Sequence, residues 1–477
     1  MRKSGVLMHI SSLPGDFSCG SFGDEAKKFI DKISEAGFSY WQVLPFNLVD
    51  ECNSPYKSYS AFALNPYFID LPTLHKKGLL TSDELNSARQ QQPYSCEFVR
   101  LYHTRVELLR KAIPRLSDEY KKKIAEFVDK NKYIEQFCRF MSLKKLNNDK
   151  AWNEWTIHEP SAEDVFLWQF IEYELFSQWS DIHAYAKAKN IKIIGDIPIY
   201  VAFDSADVWA NKEQFLLDED NKPSCVAGVP PDYFAADGQL WGNPIYNWDY
   251  MKANDFAWWK DRLTANLALF DGVRIDHFRA FSAYWSVPST AKTAKEGKWV
   301  KGVGKEFIDA VSEITDNRLI IAEDLGDIDE DVVELVEYSK FPSMRVFQFG
   351  FLSDDDSTHK PHNYPKNSIA YTGTHDNNTL LGFVWELNEC DRKNMLEYCG
   401  YTSPDWNNGY DNILRTIFQS HADTVILPIQ DLLGYGSDTR LNIPGKADGN
   451  WQFRTTTDQL NSINWNKFKR FNELYKR

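Results

Sequence analysis

The chain has 477 residues, with 68 acidic against 54 basic side chains, a formal net charge of −14, and 15% aromatic content. That aromatic content excludes a disordered chain, and the acidity argues against a nucleic-acid partner held through phosphate neutralisation. No apolar run reaches the ~18 residues of a membrane span, the apolar run behind the short basic start is too short for a secretory signal, and the seven cysteines are widely spaced with no CxxC pair. No membrane partner, disulfide framework or structural zinc is expected, and a reducing cytoplasm fits.

Eight apolar β-type runs follow one another, each ending in polar residues. They occupy 5–10 (GVLMHI), 39–45, 192–201 (KIIGDIPIYV), 272–278 (GVRIDHF), 318–325 (RLIIAEDL), 344–350, 368–376 (SIAYTGTHD) and 423–433. Amphipathic helical periodicity lies between most of them, as at 24–36, 162–189, 255–269, 306–315 and 329–339. Alternating strand and helix indicates parallel β/α units. Eight units without a GxGxxG or P-loop turn point to a closed (β/α)8 TIM barrel rather than an open doubly wound sheet.

One catalytic barrel over 1–477 is therefore expected, interrupted by insertions. Residues 67–160 read as a helical subdomain, 203–250 as a loop-rich insertion containing Gly228–Asp232, 283–305 as a shorter one, and 377–422 as a small insertion after strand seven. Insertions that follow strands sit at the C-terminal mouth of such a barrel, where active sites are built.

Three strand ends finish in an acid. In Arg274-Ile275-Asp276-His277-Phe278, alternation puts Arg274 and Asp276 on one face. Two charges on one face of a buried strand are costly unless paired or functional. An arginine there favours a carboxylate, which suits a nucleophile; a structural ion pair is the competing reading. In Ile320-Ile321-Ala322-Glu323-Asp324, Glu323 follows an apolar run. A carboxyl in partly apolar surroundings keeps its proton and can donate it. Asp324 better fits a loop carboxylate capping the next helix. In Thr374-His375-Asp376 a histidine stands beside the acid. A Ser-His-Asp triad is disfavoured, because no G-x-S-x-G elbow occurs.

Together, one carboxylate can attack an anomeric carbon while a second protonates the leaving oxygen, as in retaining glycosidases with carboxyls ~5–5.5 Å apart. Mg²⁺ or Zn²⁺ ligation is the competing use. Sixteen tryptophans, including Trp241 and Trp451 in aromatic stretches, favour a sugar, whose apolar face stacks on aromatic rings. On the tryptophan count alone, ordinary core and interface packing is the favoured reading. His359 and His362 read as surface histidines.

Ordered motifs then carry a resemblance over nearly the whole chain. They include Ser11-Ser12-Leu13-Pro14, Trp41-Gln42-Val43-Leu44-Pro45, Ser54-Pro55-Tyr56 and Gly195-Asp196-Ile197-Pro198. Trp241-Gly242-Asn243-Pro244, Arg274 to Arg279, Ala322-Glu323-Asp324-Leu325-Gly326, Thr372 to Asn377, and Asn442, Pro444 and Gly445 continue the series. The sequence resembles the 4-α-glucanotransferases, also called amylomaltases or disproportionating enzymes, of the α-amylase superfamily.

The resemblance implies Asp276 as nucleophile, Glu323 as general acid and then base, and Asp376 as the carboxylate that holds the hydroxyls of a distorted sugar. It implies that Arg274 orients Asp276, that His375 and Asp196 hydrogen-bond the same sugar, and that Tyr56 stacks on it. Trp241, Asn243 and Pro244 would lie along the glucan groove, and the Gly228–Asp232 loop would overhang it. The implied substrates are maltooligosaccharides and other α-1,4-glucans, with glucose as an acceptor and with no cofactor and no metal. A hydrolase of the same superfamily and a non-catalytic glucan-binding protein are the alternatives.

Overall fold

The computed structural model describes residues 2–49, 52–231, 236–352, 356–403, 406–446 and 448–477. Twelve strands are present among them. In chain order they are β1 (Lys3–Leu7), β2 (Tyr40–Gln42), β3 (Lys192–Ile197), β4 (Cys225–Val229), β5 (Gln239–Pro244) and β6 (Gly272–Ile275). They continue with β7 (Ala283–Pro288), β8 (Lys298–Lys301), β9 (Leu319–Ala322), β10 (Ser343–Val346), β11 (Ser368–Tyr371) and β12 (Thr424–Pro428).

Eight of these close a barrel in the order β1-β2-β3-β6-β9-β10-β11-β12, and β12 pairs back to β1. All barrel pairings are parallel. The barrel expected from the sequence is therefore present, with each apolar run supplying one strand. The strands are shorter than the runs. The run at 39–45 yields three residues, and that at 423–433 ends at Pro428, where the helix Ile429–Leu433 begins. Val43, Leu44 and Ile429 are apolar and fully buried although they lie beyond the strands.

The helices pack outside. Asp24–Glu35 buries Ala26, Phe29, Ile30 and Ile33, spaced so that all face inward. Ala162–Ala188 starts at Ser161, whose side chain accepts the Asp164 N–H, and buries aromatic and aliphatic residues through most of its length. After β2, the helices Phe98–Arg110, Asp118–Asp129 and Lys132–Leu146 stand beside it.

Residues 203–250, expected to be loop-rich, contain β4 and β5. These join β7 and β8 in a four-stranded antiparallel sheet, β5-β4-β7-β8, at the barrel mouth. The strands are broken by glycine and proline, which hides their period-2 pattern. Of Gly228–Asp232, Gly228 and Val229 belong to β4, and Asp232 lies outside the described residues.

Half of the sixteen tryptophans serve the core. Trp41, Trp179 and Trp259 are fully buried, and Trp152, Trp155, Trp168, Trp248 and Trp258 nearly so.

Candidate active site

The barrel register sets the centre of the site. Asp196 on β3 and Arg274 on β6 are paired across the strands, so their side chains leave the sheet on the same side. Arg274 Nη1 donates to both oxygens of Asp196, at 2.9 and 2.9 Å. Its Nη2 donates to Asp276 Oδ1 at 2.8 Å. The planar fork thus divides between two carboxylates, which an ammonium could not do with fixed geometry. Burial works against the charge of Arg274, yet Asp196 and Asp276 hold it firmly protonated.

Glu323 directly follows β9, which is hydrogen-bonded to β6; its N–H donates to the carbonyl of Ile275 at 3.1 Å. After Asp276 the chain turns through His277 in the left-handed region, φ 50°, which aims the His277 N–H at the acid. That N–H donates to Glu323 Oε2 at 2.6 Å, and the Leu325 N–H donates to Oε1 at 3.0 Å. Burial pushes the Glu323 carboxyl up to about 8, against the opposing pull of Arg274 and with reinforcement from Asp276. A carboxyl that keeps its proton near neutral pH can act as a general acid.

Asp376 follows β11. Its Oδ2 lies 3.3 Å from His375 Nε2, and its Oδ1 accepts from Asn442 Nδ2 at 2.6 Å. Burial would raise this carboxyl, but the adjacent His375, with Asn442, holds it well below the usual carboxylate range. His375 is lowered by burial and raised more strongly by Asp376, for a net upward shift. Arg440 donates to the main-chain carbonyls of Asp376 at 2.6 Å and Asn442 at 2.7 Å, tying the two segments together.

Tyr56 joins the halves of the site. Its ring stacks on His375, with centroids 4.9 Å apart and an interplanar angle of 15°, and its hydroxyl donates to Asp196 Oδ2 at 2.7 Å. A continuous chain of contacts therefore runs Asp376–His375–Tyr56–Asp196–Arg274–Asp276. Trp451 packs at a tilt against both Tyr56 and His375, at 5.9 and 5.8 Å.

These groups open into a cleft of about 600 Å³. Asp276, Glu323, Asp376, Arg274, His375, Tyr56, Trp241 and Asn243 all line it. Two expected residues do not. Asp196 lies beneath the floor, with its oxygens occupied by Arg274 and Tyr56, so it supports the residues above it. Pro244 is buried at the end of β5, paired with Val226 of the side sheet. Trp241 stands edge-on to His277 at 4.9 Å, and Asn243 Nδ2 donates to the Val201 carbonyl at 2.9 Å.

Two further sequence readings change. Asp324 does not cap the next helix. It accepts from the Met344 N–H at 2.6 Å and pairs with Arg345 at 3.0 Å, while Asp329 caps that helix. His359 is not a free surface histidine, since its Nδ1 accepts from the Val346 N–H at 3.1 Å and burial pushes it down to about 4. Arg440 went unrecognised, and nothing in its local sequence marks it. Asn442 was visible only as part of a motif. No group of three or more His, Cys, Asp or Glu side chains among the described residues is arranged to hold a metal ion.

The family model described as 4-alpha-glucanotransferase matches residues 8–459. This chain belongs to the 4-α-glucanotransferase family. Its activity is that of the family. The glucanotransferase is similar to 4-alpha-glucanotransferase from Clostridium butyricum, at 40% identity over 98% of this chain and 100% of that protein. It is also similar to 4-alpha-glucanotransferase from Streptococcus pneumoniae, at 41% identity over 96% of this chain and 94% of that one. Amylomaltase from Streptococcus agalactiae, solved in complex with acarbose, superposes with a TM-score of 0.96 at 37% identity, covering 100% of both chains.

Proposed function

We propose that this glucanotransferase moves a segment of an α-1,4-glucan to the 4-OH of an acceptor glucan or of glucose by double displacement. Asp276 attacks the anomeric carbon as the C1–O4 bond breaks, and Glu323 delivers its proton to the departing O4. The ester between Asp276 and C1 retains the segment. The acceptor 4-OH then attacks C1, its proton passes to the Glu323 carboxylate, and Asp276 is released. Every proton and bond is accounted for by the two carboxyls, so the cycle calls for no cofactor.

The observation that carries this reading is the pairing of a buried, proton-retaining Glu323 with an Arg274-bound Asp276 directly past the ends of adjacent barrel strands. Asp376 supports it as a charged acceptor for sugar hydroxyls, held by His375 and Asn442. Trp241 and Trp451 supply stacking faces along the cleft. Binding a sugar acceptor while excluding water is what separates transfer from hydrolysis. The substrates are maltooligosaccharides and longer α-1,4-glucans, and the reaction takes place in the cytoplasm.

Trapping tests the nucleophile. With α-maltosyl fluoride the leaving group needs no proton, so Glu323→Gln should form the intermediate and fail to discharge it. Mass spectrometry should find the maltosyl group on the peptide containing Asp276. A label on Asp376 or elsewhere would overturn the assignment.

A further inference from the structure

Arg279 lies three residues past Asp276, in the short 3₁₀ turn Phe278–Phe281 that follows β6. It is only 4% exposed. Its Nη1 donates to the carbonyl of Asp327, and its Nη2 donates to Asp329 Oδ2 at 3.1 Å. Asp329 in turn accepts from the Val332 N–H and caps the helix Glu330–Ser339. The indole of Trp299, on β8 of the side sheet, covers the guanidinium at 3.9 Å from Cζ to the ring centroid. A planar cation under an aromatic face holds one orientation.

The segment that Arg279 clamps belongs to the acid. Glu323 begins it, and the Leu325 N–H within it donates to Glu323 Oε1. Gly326, with φ +90°, is its pivot, and a Cβ placed there would meet nothing within 4 Å. No neighbour lies against that point; Asp324 fixes the start of the loop through the Met344 N–H and Arg345, and further ties stand at either side. On one side the Phe278 N–H donates to the Glu323 carbonyl at 3.1 Å. On the other stands Arg279.

We propose that Arg279, held flat beneath Trp299, is a positioning residue for Glu323: it ties the loop behind the acid strand to the turn behind the nucleophile strand and so fixes the acid against Asp276. This rests on the reading of Glu323 as general acid. Arg279 is not among the residues that line the cleft. The side sheet thereby gains a second task, since β5 lines the cleft and β8 pins the acid loop from behind.

The charged groups that face Glu323 are Arg274 from β6, Asp276 just past that strand, and Asp324 beside it, the last paired with Arg345 from β10. Substitutions at 279 and 299 leave all four in place. A change in the titration of Glu323 then reports how well the loop keeps water out.

The test is the pH dependence of transfer from maltotriose by the full chain. Arg279→Ala should lower kcat by about 10- to 100-fold with KM moved less than about threefold, the loss expected when a reacting group is displaced by a fraction of an ångström to an ångström. The alkaline limb should move to lower pH, because water reaching the carboxyl outweighs the loss of one N–H bond. Arg279→Lys should recover part of both effects. Trp299→Ala, at a partly exposed position, should shift kcat and the limb in the same direction without opening the core. Folded Trp299→Ala and Arg279→Lys with unchanged kcat and limb would overturn the inference, as would a fall in rate with the limb unmoved. Glu323→Gln is the control. If it retains transfer, the assignment of the acid has failed; if it is inactive while the limb ignores Arg279, only the clamp has failed.

Discussion

Tyr56 and Asp196 are joined by a 2.7 Å hydrogen bond from the phenol to the carboxylate, across the boundary between a mouth loop and a barrel strand. The loop that presents Tyr56 to the cleft is thereby anchored to the same acid that anchors Arg274. Tyr56→Phe removes this bond while keeping the ring on His375. Leaving one acceptor of a buried charged pair short by one donor costs about 1–3 kcal/mol. Transfer should fall by about tenfold, seen mainly in kcat/KM for maltotriose.

Arg274 faces the harsher test. Arg274→Ala leaves Asp196 and Asp276 without their shared cation in a buried site, and breaking such a pair costs about 3–5 kcal/mol. Arg274→Lys keeps the charge but cannot place separate donors on both acids. Thermal unfolding should show the alanine variant strongly destabilised. The lysine variant should stay folded, with kcat lowered by about 100-fold through misplacement of Asp276.

Glu323 gives the site its pH dependence. Its ordinary value is 4.5 and its folded value about 8, so the folded state keeps a proton that the unfolded chain releases between these limits. The stabilisation linked to that proton is fully present below about pH 4.5 and is lost as pH rises through about 8. Glu323→Gln cannot lose a proton, so its stability relative to the parent should grow from pH 5 to pH 9 by a few kcal/mol. Activity should follow the same group. Formation of the intermediate from maltotriose should decline above about pH 8, whereas formation from α-maltosyl fluoride should not, because fluoride leaves unprotonated.

Asn442 holds Asp376 from a segment more than sixty residues downstream. Asn442→Ala removes a 2.6 Å bond to one carboxylate oxygen while His375 keeps the other. The Asp376 carboxyl is depressed in the fold, so its stabilising contribution is present above its ordinary value near 3.8 and fades as pH falls below it. Losing the Asn442 bond should raise that carboxyl, narrowing the acid range over which the enzyme stays folded and active. Thermal unfolding between pH 2 and 5 checks this, and transfer should fall about tenfold at neutral pH.

Much of this was legible in the sequence because the barrel repeats one pattern. Apolar runs that end in an acid placed Asp276, Glu323 and Asp376 at strand ends without any structure. The two-residue spacing put Arg274 and Asp276 on one face, where they are found bonded. The rest depends on contacts between distant segments. Arg440 reaches Asp376 over sixty-four residues, and His359 reaches the β10 backbone at Val346 over thirteen. The side sheet was hidden because β4 and β5 carry glycine and proline where strands usually alternate. Tryptophan abundance had two causes, since half of the indoles fill the core while Trp241 and Trp451 line the cleft.

Incubation of the enzyme with pure maltotriose, resolving products by chain length over time, tests the central claim most directly. Transfer predicts free glucose together with a ladder of maltooligosaccharides longer than the donor. Glucose and maltose with nothing longer would contradict it, because the intermediate would then be passing to water.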